Sequence, residues 1–233
     1  MKKILCFCGF IFLSFVAFSQ WTQLSGNGLG KTICSDNVKA WLIGMDDAIY
    51  SFNGSYWVQY PGIGNGKDIA VFNGVPYVIG MDNAIYKGTG NGFEKLPGNG
   101  EGKRIYCADN KVWLIGMDDG IYSFNGSYWV QYPGIGKGKD IAVCNGVPYV
   151  IGMDNAIYKG TGNGFEKLPG DGEGKRIYCA DNKVWLIGMD DGIYSFNGSY
   201  WVQYPGNGKG KEIAACNGVP YIIGMDNAIY IGK

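Results

Sequence analysis

The chain has 233 residues, with 20 Lys and Arg against 20 Asp and Glu, no histidine, seven cysteines and 40 glycines. The charge balance leaves no electrostatic footprint for nucleic acid or an anionic membrane, and the missing histidine removes the commonest general base and metal ligand. Tyr, Trp, Ile and Val dominate the apolar positions and helix-favouring runs are missing, which is the composition of short strands and tight turns.

Residues 1–19 read as a secretory signal. Lys2-Lys3 form a positive start, Ile4 to Phe18 an apolar run broken by Gly9 and Ser14, and Ala17-Phe18-Ser19 place small residues where a signal peptidase reads. The run is short of the roughly 20 apolar residues of a membrane span. Neither Cys6 nor Cys8 follows the small residues expected before a lipidated cysteine, so a freely secreted product, extracellular or periplasmic and without membrane insertion, is expected. Cleavage after Ser19 removes two lysines, leaving 18 − 20 = −2 for residues 20–233.

From there the chain is periodic. Ile-Gly-Met-Asp begins at Ile43, Ile79, Ile115, Ile151, Ile187 and Ile223, six copies 36 residues apart. A period of that size dictates the architecture. Residues 57–92 show one full period: a Trp57 strand, a glycine loop, a Lys67-Asp-Ile-Ala-Val-Phe strand, Asn73-Gly74, a Val75 to Gly80 strand, a Met81-Asp-Asn turn and an Ile85-Tyr86 strand. Asn-Gly pairs are two-residue hairpin turns, because a type I′ turn needs positive φ at both central positions. Each period therefore predicts a four-stranded antiparallel meander.

Six meanders bury their faces and hide their edges by packing around an axis, as an all-β, six-bladed β-propeller; a β-solenoid, the competitor, prefers shorter repeats and terminal caps. The chain ends at Tyr230-Ile-Gly-Lys233, before the last meander's fourth strand, and restarts after the signal at Trp21, the residue that Trp57 and Phe93 represent elsewhere. Trp21–Leu24 is expected to pair beside Ala228–Gly232 and close the ring. The repeats alternate between two kinds (Trp41, Trp113 and Trp185 against Tyr77, Tyr149 and Tyr221), so the true duplication is a pair of repeats and the ring has approximate threefold symmetry.

Several motifs carry less chemistry than they suggest. Ser25-Gly-Asn-Gly-Leu-Gly-Lys31-Thr32 misses the phosphate-loop pattern at Ser25 and lacks the following helix, so a connection between blades is the better reading. The Met-Asp-Asp and Met-Asp-Asn aspartates lack the six to eight oxygens calcium takes and are turn residues first. Asn53-Gly-Ser55, Asn125-Gly-Ser127 and Asn197-Gly-Ser199 match the glycosylation acceptor, but each coincides with a hairpin turn. The five mature cysteines, Cys34, Cys107, Cys144, Cys179 and Cys216, leave one unpaired; small buried residues are expected, although neighbouring units could bring Cys107 and Cys179 against Cys144 and Cys216. Most tryptophans are expected in inter-blade packing. No cofactor, metal or catalytic group is expected, and the chain reads as a non-enzyme.

Trp-x-x-x-Pro-Gly, then Gly-Lys-x-Ile, then Val-Trp-Leu-Ile-Gly-Met-Asp-Asp-Gly-Ile-Tyr resembles the tectonin repeat over Trp21–Lys233, although Leu-Ile-Gly follows Trp113 where that family more often has glycine at once. The resemblance implies a six-bladed propeller that binds glycans or bacterial lipopolysaccharide, that is, a secreted multivalent lectin, here expected as a monomer. The glycine loops and Met-Asp turns should share one face of the ring, the Asn-Gly turns the other. The first face gathers Lys67, Asp82, Lys103, Arg104, Asp118, Asp119, Lys139, Asp154, Lys175, Arg176, Asp190 and Asp191, with Tyr60, Tyr132 and Tyr204 at the loop entrances. Sugars between blades, hydrogen-bonded by the charged groups and stacked on a tyrosine, are the expectation. A protein-binding or adhesion scaffold is the alternative, since propellers host many functions.

Overall fold

The computed structural model describes residues 21–233 except 37, 63, 135 and 207; the expected signal segment lies outside the described residues. It is a six-bladed β-propeller of four-stranded antiparallel blades. β1 is Trp21–Gln23. Blade 1 holds β2 (Gly30–Ser35), β3 (Ala40–Gly44), β4 (Ile49–Phe52) and β5 (Trp57–Gln59). Blade 2 holds β6 (Gly66–Phe72), β7 (Val75–Gly80), β8 (Ile85–Gly88) and β9 (Phe93–Lys95). Blade 3 holds β10 (Gly102–Ala108), β11 (Lys111–Gly116), β12 (Ile121–Phe124) and β13 (Trp129–Gln131). Blade 4 holds β14 (Gly138–Cys144), β15 (Val147–Gly152), β16 (Ile157–Gly160) and β17 (Phe165–Lys167). Blade 5 holds β18 (Gly174–Ala180), β19 (Lys183–Gly188), β20 (Ile193–Phe196) and β21 (Trp201–Gln203). Blade 6 holds β22 (Gly210–Cys216), β23 (Val219–Gly224) and β24 (Ile229–Gly232).

β1 supplies blade 6 with its fourth strand, pairing Trp21 with Gly232 and Gln23 with Tyr230. The window 57–92 thus straddles two blades: hairpin turns join strands within a blade, and the glycine loops cross between blades. The first strands of the blades, β2, β6, β10, β14, β18 and β22, neighbour one another around the axis. The second strands are buried on both sides, which is why Trp41-Leu-Ile reads as an unbroken apolar run instead of an alternation. Ile43, Ile79, Ile115, Ile151 and Ile187 are fully enclosed, each contributing about 1.5–3 kcal/mol of burial.

Each Ile-Gly-Met-Asp closes a turn and stitches the ring. In blade 2, Asp82 Oδ1 accepts the Ala84 N–H and its Oδ2 accepts the Tyr86 hydroxyl at 2.9 Å, while Asn83 takes φ 68°. The Asn83 carbonyl then accepts the Gly102 N–H of blade 3 at 3.0 Å, and likewise the Asn227 carbonyl accepts the Gly30 N–H, closing blade 6 on blade 1. Glycine is needed because the tyrosine lies across it: a Cβ on Gly116 would sit 2.7 Å from Asp118 Oδ1 and 2.9 Å from Tyr122. Gly116→Ala should therefore cost about 1–3 kcal/mol in urea denaturation, the range for an overpacked site, and an unchanged midpoint would contradict this reading of the motif.

The cysteines depart from expectation at one pair. Cys144 and Cys179 form a disulfide between blades 4 and 5, whereas Cys34, Cys107 and Cys216 are free thiols. The two positions lie 35 residues apart, one less than the repeat, so they approach from adjacent first strands across the seam.

Candidate functional site

The glycine loops and Met-Asp turns lie on one face, as their positions between strands require. The lysines sit there through a β-bulge. In every first strand the register skips one residue, as between Gly66 and Asp68, and that residue is the lysine. Freed from the ladder, it turns back on its own blade: Lys67 to Asn83 and Lys139 to Asn155 at 2.6 Å, Lys103 to Asp119 and Lys175 to Asp191 at 2.5 Å. These pairs are solvent-exposed, each worth at most about 1 kcal/mol. A ligand can displace them at little cost.

Asp82, Asp118, Asp154 and Asp190 each accept a tyrosine hydroxyl, and that bond, first among the causes, holds their carboxyls below the usual range. The tyrosine partners are raised by the same bond. These aspartates stay ionised acceptors through any physiological pH.

Two groups of expected contacts are placed elsewhere. Arg104 and Arg176 are back in register after the bulge and point into the axis, on the same side of their strands as Tyr106 and Tyr178 two residues on, whose rings meet at 5.4 Å. Arg104 bonds Asp140 at 2.8 Å and lies 3.3 Å from Asp68 and 3.4 Å from Glu212; Arg176 pairs with Glu212. They are struts of an axial ring and not donors on the loop face. Tyr60, Tyr132 and Tyr204 are also committed. The Tyr60 ring packs between Trp41 and Phe93 at 5.9 and 5.1 Å, and its hydroxyl accepts the Gly90 N–H. Tyr132 repeats this with Trp113, Phe165 and Gly162, and Tyr204 packs between Trp185 and Trp21. These tyrosines support the seam wall from behind.

The axial ring has its own acid–base behaviour. Burial, opposed by Arg104, raises Asp68 from 3.8 to about 6. Since the folded value lies above the unfolded one, the native state holds this proton more tightly; its stabilising contribution is complete below pH 3.8 and is lost as pH rises through 6. The difference is on the order of 3 kcal/mol. In Asp68→Asn, the stability difference from wild type should shift by about that amount between pH 4 and 7 in urea titrations; parallel curves would contradict it.

Among the described residues, two equivalent grooves open in the seams on the loop face. One, between blades 1 and 2, has about 390 Å³ and is lined by Ile49, Gly64, Asn65, Val78, Gly80, Met81, Asp82, Tyr86 and Phe93. The other, between blades 3 and 4, has about 530 Å³ and the corresponding lining two repeats on: Ile121, Gly136, Lys137, Val150, Gly152, Met153, Asp154, Tyr158 and Phe165. Of the expected residues, Asp82 and Asp154 line them. Phe93, Phe165, Met81, Met153, Asn65 and Lys137 line them too, and no motif marks these six as contacts; the alternation of Phe with Trp and Val with Leu across the repeat is the signal that points to them. Among the described residues there is no cluster of three His, Cys, Asp or Glu that could hold a metal, and no helix long and apolar enough to cross a membrane.

A closed ring of six four-stranded blades with grooved seams defines the class of six-bladed β-propellers. No family model matches the sequence, and no curated protein is detectably similar to it. Among solved structures, the chain is similar to YCF48 bound to D1 peptide, at 12% identity and TM-score 0.63, covering 93% of this chain and 98% of that one. A Bacteroides thetaiotaomicron protein of unknown function matches at 11% identity and TM-score 0.69, over 91% of this chain and 74% of that one. The WD40 propeller domain of Doa1 matches at 15% identity and TM-score 0.60, over 91% and 95%. At such identities the likeness shows the fold alone.

Proposed function

We propose that the chain is a secreted, non-enzymatic, multivalent carbohydrate-binding propeller that recognises cell-surface glycans or lipopolysaccharide through the grooves between blades. One observation carries this reading: two equivalent grooves, each with a Phe–Val–Met wall and a rim holding an ionised aspartate. A pyranose has an apolar C–H face and a polar edge, and this lining complements both. Volumes of 390 and 530 Å³ fall within the range of small-ligand sites. The tectonin-like repeat and the signal-like segment 1–19 support the same reading. Repeated weak sites on a rigid ring gain avidity on a repetitive surface. The test is a glycan array of microbial and host saccharides, including lipopolysaccharides, probed with residues 20–233; silence at high glycan density would sink the proposal.

A protein-binding scaffold is the second reading, and the methionines favour it. Met45, Met81, Met117, Met153, Met189 and Met225 are each 44–54% exposed around the loop face. Such a crown is an adaptable apolar surface. The similar YCF48 structure is described as bound to a peptide. Free sugars displace a lectin from cells and leave a protein complex intact, which separates the two readings.

A further inference from the structure

The two grooves exist because two side chains shrink together. In the seam between blades 2 and 3 the outer aromatic is Trp129, and its Nε1 lies 2.0 Å from where a Cβ on Gly100 would be. The indole lies flat on the glycine and fills the seam. Trp201 does the same on Gly172 between blades 4 and 5, and Trp57 on Gly28 between blades 6 and 1. These three seams also carry leucine (Leu114, Leu186 and Leu42) where the grooved seams carry Val78 and Val150. By the threefold pattern the seam between blades 5 and 6 belongs with the grooved pair, but the ring-closing strand brings Trp21 onto Gly208, and Ile222 replaces valine. Phe93 and Phe165 lie over Gly64 and Gly136 in the same way, yet a phenyl lacks the second ring of an indole. The space that ring would fill, widened by Val for Leu, is the groove.

Resting on the carbohydrate reading above, we infer that Phe93 and Phe165 are the specificity-determining residues of the ring, which is therefore bivalent: one pyranose in the groove between blades 1 and 2, and one between blades 3 and 4. The two rims differ at one lining position, exposed Asn65 against exposed Lys137. The aspartate of each groove is already tied to its tyrosine, so the added ammonium is the charge that distinguishes the two linings. The Lys137 groove accordingly favours a saccharide with an anionic substituent, such as a phosphate or carboxylate. The Asn65 groove favours a neutral one.

The six exposed methionines provide a built-in readout, because one stands on each seam. Protein labelled with 13C at the methionine methyls is titrated with the methyl β-glycosides of glucose, galactose and mannose and with glucose 6-phosphate. The expected result is that shifts are confined to Met81 and Met153, with glucose 6-phosphate binding at Met153 roughly fivefold or more tightly than at Met81, the scale of one charge-assisted contact. F93W should abolish the Met81 response and F165W that of Met153, the other methyls reporting an intact fold. W129F should create a response at Met117, and this gain stands even if a Phe→Trp variant folds poorly. Shifts at Met45, Met117, Met189 or Met225 in the wild type would overturn the assignment, as would retained responses in F93W and F165W. Equal phosphate affinity at both grooves would overturn the role of Lys137. Silent methyls together with a positive glycan array would overturn bivalency while leaving the carbohydrate reading in place; silence in both would remove the two together.

Discussion

Replacing Arg104 with methionine should destabilise the ring by about 3–5 kcal/mol, the cost of leaving buried charge uncompensated. Arg104 comes from blade 3 and reaches carboxylates from blades 2, 4 and 6. Asp68, Asp140 and Glu212 are all buried, so without the guanidinium Asp68 and Asp140 lose their ion-pair partner and Glu212 keeps only Arg176. For a domain of this size that loss lowers the melting temperature by roughly 10 °C. Arg176→Met should cost distinctly less, because Arg176 pairs with Glu212 alone and its side chain is 32% exposed against 17% for Arg104. Adding Asp140→Asn to Arg104→Met should recover part of the loss, since the two residues are in contact. Equal effects of the two arginine variants in chemical denaturation would show that the axial ring is not organised by Arg104.

Ser35→Cys should lock the ring shut. Advancing the Cys144–Cys179 bridge by two repeats, past the ring closure, lands on Cys216 and Ser35; stepping back by two lands on Phe72 and Cys107. Only one of three equivalent crosslinks is therefore made. The Cys216 thiol, raised mainly by burial, is held down in part by a hydrogen bond with Ser35, which places the two side chains together. In the variant, a bridge between position 35 and Cys216 would join blade 1 to blade 6. It would close a loop of about 180 residues, and chain entropy sets a ceiling of about 5 kcal/mol on its effect, with about 2–4 typical. The variant should gain no titratable thiol and lose that of Cys216, with a raised denaturation midpoint that reductant reverses. One additional free thiol in place of a bridge would mean that the threefold correspondence fails at the closure. Conversely, Cys144→Ala with Cys179→Ala should cost about 2–4 kcal/mol.

The architecture was legible because local signals and the long period agree. Asn-Gly and Met-Asp turns bound each strand, and the Trp21 segment supplies the strand that the last meander lacks. Asp82 and its repeats were legible as turn residues for the same reason, and the Asx bonds to Ala84 and its counterparts bear that out. Misplacement arose where side-chain direction depends on the ring. Lys103 and Arg104 are adjacent and both basic, yet the bulge turns the first to the loop face while the second, back in register, points to the axis. Tyr60 has the composition of a stacking platform but sits behind Phe93, a fact set by the neighbouring blade. The Cys144–Cys179 bridge was legible only as one of several pairings between neighbouring units, because the one-residue offset between adjacent first strands that selects it is set by the ring. The grooves were hidden because they are made by smaller residues, Phe93 for Trp and Val78 for Leu, and a missing volume leaves no motif.

Carbohydrate recognition by the grooves is tested most directly by a glycan array probed in parallel with residues 20–233 and with the F93W/F165W double variant. Binding to a defined set of saccharides by the wild type, competed by the free sugar and lost in the folded double variant, is the predicted result. Undiminished binding by that variant, or no binding by the wild type at any glycan density, would contradict it.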